Sequence, residues 1–336
     1  MSTHAATQSD VALAAGVSRS LVSLALAGSP KVARETRERI EQVARDLGYR
    51  VNVAASSLAR RSSSIIGLVL PNLRNAFFER MAKCLNEAAS QRGMTLFVTV
   101  GSEDPVALHR AIESLLGVRV AGIAMVSPWL TGEDVVAVGE EVATCVIGRK
   151  SPGGRIDAVH IDERAAAGLV VDHLRERGAS SLVYVRPRSG DETSRHEREI
   201  ALADAAREAG IPLAVYGCAD DAGPAVRAAV STHPEPLGLV MHNDVLAIDA
   251  VPALRTAWRG EDSPVFIASY DNTYLAQREE FSLTSINQPE PIMAARAIEL
   301  ICQRAGLDPE ASLPADEPGR SVVLAPTLAI RGSSAR

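Results

Sequence analysis

From Ile65 onward the chain alternates short, largely apolar runs with amphipathic stretches, and that alternation leaves few folds open. Ile65 to Leu70, Thr95 to Val100, Gly122 to Val126 and Thr144 to Ile147 read as strands, with helices over Phe77 to Arg92, stopped by Gly93, and Pro105 to Leu116. The pattern restarts at Ala158 to Ile161. Helices follow near Arg164 to Arg177 and Ser194 to Ala209, stopped by Gly178 and Gly210, with strands at Leu182 to Val185, Gly238 to Met241 and Val265 to Ala268. Continuous apolar strands separated by helices form parallel sheets covered on both faces. Two such rounds imply an α/β body, residues 62–336, of two similar parallel-sheet lobes. The expected first lobe is about 62–157 and 288–318, and the second about 158–285 and 321–332.

The segment before this body differs in charge. Residues 1–61 hold nine basic groups against five acidic ones, although the whole chain carries a net charge of −6. A basic small segment joined to an acidic large one fits a polyanion-binding head on a body with another task. Its pattern is helical: Val11, Ala12 and Ala15 share a face, Gly16 supplies a turn, and Ser18 is placed to cap a second helix whose Val22, Ala25 and Leu26 face inward. A third helix runs from about Arg34 to Leu47, with Ile40, Val43, Ala44 and Leu47 inward and Gly48 as its C-terminal cap. Three short helices with this spacing make a small all-α helix-turn-helix head over residues 1–50. In a DNA major groove the early residues of the second helix meet base edges, so Arg19 and Ser20 are the candidate base readers. Arg19 can bond a guanine through both O6 and N7. Thr7, Ser18, Ser23, Lys31 and Thr36 are better placed for phosphates.

Composition and motifs narrow the function classes. A chain 46% hydrophobic and 23% charged is neither disordered nor collagen-like. The four cysteines, Cys84, Cys145, Cys218 and Cys302, form no Cys-x-x-Cys pair, which argues against a disulfide framework or zinc site and for reduced thiols in the cytoplasm. The first thirty residues contain no apolar core of signal-peptide length, and no run approaches a membrane span. No nucleotide-binding glycine fingerprint, nucleophile elbow or His-Glu-x-x-His is present, so no cofactor, metal or catalytic residue is expected. Ligands of open parallel sheets bind beyond the carboxyl ends of the strands. The residues there are Asn72, Ser127, Asp162, Asn243 with Asp244, and Asp271, whose amides and carboxylates suit the hydroxyls of a sugar or polyol. Each type also favours loops and helix caps, so no single one marks a site.

The head carries Thr7 … Asp10-Val11-Ala12 … Ala15-Gly16-Val17-Ser18 … Val22-Ser23, then Gly28-Ser29-Pro30, Glu35-Thr36-Arg37 and Leu47-Gly48-Tyr49. With these residues it resembles the LacI family of bacterial transcriptional repressors. Asn52 … Ala55 … Ser57-Leu58 is similar to that family's hinge helix, which implies that residues 51–61 fold on the operator and that Leu58 wedges into the minor groove, with Asn52 and Ala55 beside it; a plain linker is the alternative. The similarity continues through Pro71-Asn72 … Asn75 … Phe77-Phe78, Gly148-Arg149, Asp162 … Gly168, Asn243-Asp244, Tyr270-Asp271 and Gln288-Pro289. It implies a periplasmic-binding-protein-like body whose effector cleft is lined by Asn72, Phe77, Phe78, Asp162, Ser194, Arg198, Asn243 and Asp271. Arg198, with Ser194, can hold a hydroxyl pair or an anionic group, unless it forms a surface salt bridge to Glu197 or Glu199.

Several residues depart from the family pattern. Leu21, Leu24 and Ala27 replace polar residues of the head, and Ala33 replaces the serine cap of the third helix. Leu24 either touches a thymine methyl or is buried against the third helix. In the body Ala76, Ala121 and Ala201 replace a proline, an aspartate and a glycine, and Trp129 either stacks on a ligand or packs. The resemblance implies a cytoplasmic, homodimeric repressor, not an enzyme. Its partners would be an imperfectly palindromic operator DNA and a small polar effector such as a sugar, with no membrane partner. The alternatives are a sugar-binding protein with a weakened head, and an α/β enzyme with Asp162, Asp244 and Asp271 around a metal.

Overall fold

The computed structural model describes residues 6–26, 29–49, 63–101, 104–188, 192–233, 235–254, 265–308, 311 and 317–335. Asn52, Ala55 and Leu58 of the expected hinge, and Ala27, lie outside them. The chain divides into two compact units, Met1–Ser63 and Ser64–Arg336.

The first unit holds α1 (Gln8–Ala15), α2 (Arg19–Leu26) and α3 (Arg34–Asp46). Val11, Ala12, Ala15, Val22, Ala25, Ile40 and Ala44 are buried together, with Val17, Leu21, Leu26, Val43 and Tyr49 packed around them. Gly16 takes φ +65°, the left-handed conformation the turn between α1 and α2 requires. Ser18 Oγ accepts from Leu21 N at 3.2 Å at the start of α2. Ala33 begins α3 without a side-chain cap. Leu47, expected inward, is exposed instead, because α3 ends at Asp46 and Leu47 is its C-cap. Gly48 then reverses the chain at φ +65°, so that Tyr49 packs on the core in its place.

The second unit contains two six-stranded sheets. Its elements are β1 (Ile65–Leu70), α4 (Ala76–Gln91), β2 (Thr95–Val100), α5 (Pro105–Gly117), β3 (Gly122–Val126), α6 (Gly132–Glu141), β4 (Ala143–Ile147), β5 (Asp157–Ile161), α7 (Glu163–Glu176), β6 (Ser181–Pro187), α8 (Glu192–Ala209), β7 (Leu213–Cys218), α9 (Gly223–Thr232), β8 (Leu237–Met241), α10 (Asp244–Leu254), β9 (Val265–Tyr270), β10 (Thr284–Asn287), α11 (Glu290–Arg304), β11 (Ser321–Leu324) and β12 (Thr327–Ala329). The first sheet runs β11-β5-β4-β3-β1-β2 and the second β12-β10-β9-β8-β6-β7. Every pairing is parallel except β12 against β10. The inner strands β1, β3, β5 and β8 are buried along their whole length, as strands covered on both faces must be. Among the described residues no single helix is long and apolar enough to cross a membrane.

The sheets redraw the expected lobe boundary. The sequence pattern put Ala158 to Ile161 and the segment from 321 in the second lobe, yet β5 pairs with β4, Cys145 against Asp157, and β11 pairs with β5. An apolar run shows that a strand is buried but not which sheet it joins. Here one buried carboxylate fixes the choice. Asp157 accepts from Arg304 Nε and Nη2, both at 2.9 Å, and from Arg320 N at 2.8 Å and Nη2 at 3.1 Å, tying β5 to α11 and to the start of β11. Burial by itself would raise the Asp157 pKa, but these hydrogen bonds outweigh it and hold it below the ordinary value. The chain therefore crosses between lobes three times: after β5 at Asp162, after β10 at Gln288-Pro289, and between β11 and β12. Removing the charge with Asp157→Asn leaves two arginines facing a neutral amide; we expect a loss of about 3 kcal/mol, read from urea unfolding of the two proteins side by side.

Candidate ligand-binding cleft

The carboxyl ends of both sheets converge on a cavity of about 170 Å³. From the first lobe it is lined by Asn72, Phe77 and Phe78 after β1, Ser127 and Trp129 after β3, and Gly148 after β4. From the second come Ser194 and Arg198 of α8, Cys218 at the end of β7, His242 and Asn243 after β8, and Asp271 after β9, with Gln288 on the crossover. Trp129, for which stacking and packing were both open, thus faces the cavity, half-buried.

Local structure aims these groups. Asn75 is the N-cap of α4, accepting from Phe77 N at 3.0 Å, so the helix begins at the phenylalanine pair, whose rings meet edge to face with centroids 5.7 Å apart. Gly148 sits at φ +83°, and a Cβ there would stand 2.9 Å from Ser127 Oγ; the missing side chain leaves the serine hydroxyl its place. Buried Arg149 donates to the carbonyls of Pro128 and Leu130, at 3.3 and 3.2 Å, and so fixes the loop that carries Trp129.

Arg198 is buried, and it pairs with neither Glu197 nor Glu199. Its Nε and Nη2 donate to both oxygens of Glu163, at 3.1 and 2.8 Å, its Nη1 donates to the His242 carbonyl at 2.6 Å, and its plane lies 3.8 Å over the Tyr270 ring. Burial opposes this charge, yet Glu163 holds the guanidinium pKa above its ordinary value. Glu199 is engaged by Arg186. Asn243 Oδ1 accepts from Leu246 N at 3.0 Å at the start of α10, which leaves its amide hydrogens for the cavity.

Asp162 is the one expected lining residue the cleft does not include. It is exposed and caps α7, accepting from Ala165 N at 3.0 Å, because β5 ends in the first lobe and the chain turns there to cross. Glu163, its neighbour, enters the site instead by holding Arg198. Asp244 is buried and does not line the cavity, its carboxylate accepting from Ser285 Oγ at 2.8 Å, Thr273 Oγ1 at 2.8 Å and Thr273 N at 2.7 Å. Among the described residues no group of three or more His, Cys, Asp or Glu could hold a metal, and Asp162, Asp244 and Asp271 each have separate partners. No sequence pattern marks His242, Gln288 or Cys218 as lining residues, although each follows or ends a strand. The apolar pattern does not mark β7, because Leu213–Cys218 is a half-buried edge without a continuous apolar run.

In the head, Arg19, Ser20, Ser23 and Leu24 are exposed on α2, and Lys31 is exposed beyond it. Leu24 is 41% exposed, which leaves its side chain available to a groove and not buried against α3. Thr36 is half-buried, and Thr7 forms a capping box with Asp10, donating from Oγ1 at 2.7 Å and accepting from Asp10 N at 3.3 Å.

Residues 7–52 match the model of bacterial regulatory proteins of the lacI family, and residues 171–334 match the periplasmic binding protein-like domain. The maltose regulon regulatory protein MalI of Escherichia coli is 31% identical over 258 residues, 74% of this chain and 75% of that protein. The chain belongs to the lacI family of bacterial regulatory proteins. The transcriptional regulator GalR of Salmonella typhimurium is 27% identical to this lacI-family member over 98% of this chain and 96% of its own. A structure of the lac repressor dimer bound to operator and an anti-inducer superposes with a TM-score of 0.82 at 21% identity, covering 98% of this chain and 99% of that one. As a member of the family, the chain is a DNA-binding transcriptional regulator with an α-helical head and a two-lobed body.

Electrostatics of this lacI-family cleft centre on Asp271. Its carboxylate is buried, accepts from Asn75 Nδ2 at 2.7 Å and from Gln288 Nε2 at 2.8 Å, and forms no ion pair among the described residues. Burial, and then the charge of Asp244, push its pKa up to about 7 against the opposing pull of Asn75, Arg198 and Gln288. A carboxyl whose folded pKa lies above its unfolded one stabilises the fold most below the unfolded pKa, and that contribution is lost as pH rises toward the folded value. Between pH 5 and pH 7.5 the wild type is therefore expected to lose stability, by a few kcal/mol, relative to Asp271→Asn. Urea midpoints of both proteins at the two pH values check this; parallel behaviour would place the Asp271 pKa in the ordinary range.

Proposed function

We propose that this protein is a homodimeric repressor whose grip on an imperfectly palindromic operator is controlled by a small polar effector, a sugar or related metabolite, seated between the lobes. The carrying observation is the cleft itself, where hydroxyl-binding groups from both lobes face one cavity beside aromatic side chains. Asn72 and Ser127 on one side, with Ser194, Arg198, Asn243 and Asp271 on the other, can donate to and accept from several hydroxyls at once. Phe77, Phe78 and Trp129 suit the apolar face of a sugar ring. The maltose regulon named for MalI is consistent with this chemistry.

Three crossovers join the lobes, so a ligand bridging both favours one lobe separation over another. That difference reaches DNA through residues 51–61, where Asn52, Ala55 and Leu58 form the hinge and Leu58 is the minor-groove wedge. Arg19 and Ser20 read base edges, Leu24 meets a thymine methyl, and Thr7, Ser18, Ser23, Lys31 and Thr36 contact phosphates. The protein works in the cytoplasm, on the nucleoid, and leaves its ligand chemically unchanged.

Selection from a random duplex pool at moderate salt, repeated with saccharides added, tests this reading. An imperfect palindrome is the expected product, with affinity falling steeply as salt rises. Arg19→Ala should weaken binding to that palindrome roughly 10-fold or more, with discrimination lost at one guanine per half-site. Failure to enrich any sequence under either condition would overturn the repressor reading.

A further inference from the structure

The floor of the cleft contains a residue that neither the strand-end pattern nor the resemblance singles out. His242 follows β8 and lines the cavity, half-buried. Its Nδ1 lies 2.6 Å from the hydroxyl of Tyr184, a fully buried residue of β6, and its carbonyl accepts from Arg198. The direction of the Tyr184 hydrogen bond follows from what each choice leaves behind. If Nδ1–H donated to the phenol, the buried phenol hydrogen would have no acceptor among the described residues. If the phenol donates to Nδ1, only an oxygen lone pair goes unused, which costs less. The second arrangement puts the ring proton on Nε2, the nitrogen left for the cavity. Burial, reinforced by the charges of Arg198, Arg195 and Arg186, drives the His242 pKa well below its ordinary value, so the ring meets a ligand as a neutral group.

We propose that His242 is a specificity-determining residue of the cleft, with Tyr184 as its positioning residue, and that its fixed Nε2–H donates to an oxygen of an uncharged, oxygen-rich ligand. This rests on the sugar-effector reading above and deepens it. The charged groups around the cavity come in both signs: Glu163 answers Arg198, Asp220 faces Arg74 at 3.4 Å, and Arg195 and Asp271 add one group of each sign. A neutral donor in such a site adds direction without adding charge, and an anionic ligand would find no cationic imidazole there. The requirement on the ligand is an acceptor oxygen, a hydroxyl or ring oxygen, opposite His242, and hydroxyl hydrogens for Asp271.

Two measurements test this on the full chain. Two-bond proton–nitrogen correlation spectra of protein labelled with ¹⁵N-histidine read the tautomer directly, without any ligand. The expected result is an Nε2–H tautomer for His242 that becomes a mixture in Tyr184→Phe; a clean Nδ1–H tautomer in the wild type overturns the proposal. Calorimetric titration with D-glucose, D-galactose, maltose and cellobiose, and with glucose 6-phosphate and glucuronate as charged counterparts, reads the ligand class. Binding of a neutral saccharide should weaken about 10-fold in His242→Leu and a few-fold in Tyr184→Phe, and return to near wild type in His242→Gln, whose amide restores a donor. Unchanged affinity in His242→Leu would overturn the donor role while the sugar reading stands. Binding of the charged probes alone would overturn the uncharged class, and binding of none of the six would remove the sugar reading and this ligand assignment together, even with the tautomer as expected.

Discussion

A buried carboxylate held, among the described residues, by two amides ties the body of this protein together at its cleft. Asp271 belongs to the second lobe, Asn75 to the first, and Gln288 to a crossover between them, and both amides donate to the one carboxylate. Among the described residues no arginine or lysine bonds it directly, so its ionised form depends on the amide of Asn75, which the other lobe supplies, and on that of Gln288. Lobe position and the state of one side chain are thereby coupled. A ligand whose hydroxyls supply further donors to Asp271 would favour the same lobe arrangement that Asn75 does.

The contrast with Asp157 is instructive, because both carboxylates are buried and solve the burial problem in opposite ways. Asp157 has two arginines and a backbone N–H, which lower its pKa and lock β5 and β11 into the first sheet. Asp271 has no such partner and its pKa rises. A strongly paired charge suits a static joint, and a weakly satisfied one suits a place where a ligand is to complete the hydrogen bonding. Arg198 is intermediate: Glu163 and the His242 carbonyl take three of its N–H groups, and two remain for the cavity it lines.

Much of the architecture was legible from residue patterns. The apolar runs from Ile65 to Ala268 mark true strands, and Gly16, Ser18 and Val22 mark the turn of the head, because backbone conformation and burial act within a few residues of chain. The cleft was partly legible for the same reason: a polar residue directly after a buried strand sits at the sheet's carboxyl edge, and Asn72, Ser127, Asn243 and Asp271 all do. Asp162 satisfies the same rule and fails, since its strand ends where the chain leaves the lobe and its side chain is spent on capping α7. Leu47 failed for a related reason, one residue past the end of its helix.

The sequence by itself determined the kind of each element, the helix-turn-helix head, the two rounds of parallel strands and the family to which the chain belongs. These follow from periodicity, turn chemistry and local motifs, which are properties of neighbouring residues. Tertiary structure alone decided which sheet β5 and β11 join, that Glu163 and not a helix neighbour answers Arg198, and that Tyr184 fixes the ring of His242. Each of these joins residues 35 to 163 positions apart. Such pairings are settled by the closing of buried polar groups on one another, a condition on three-dimensional position that no local pattern contains.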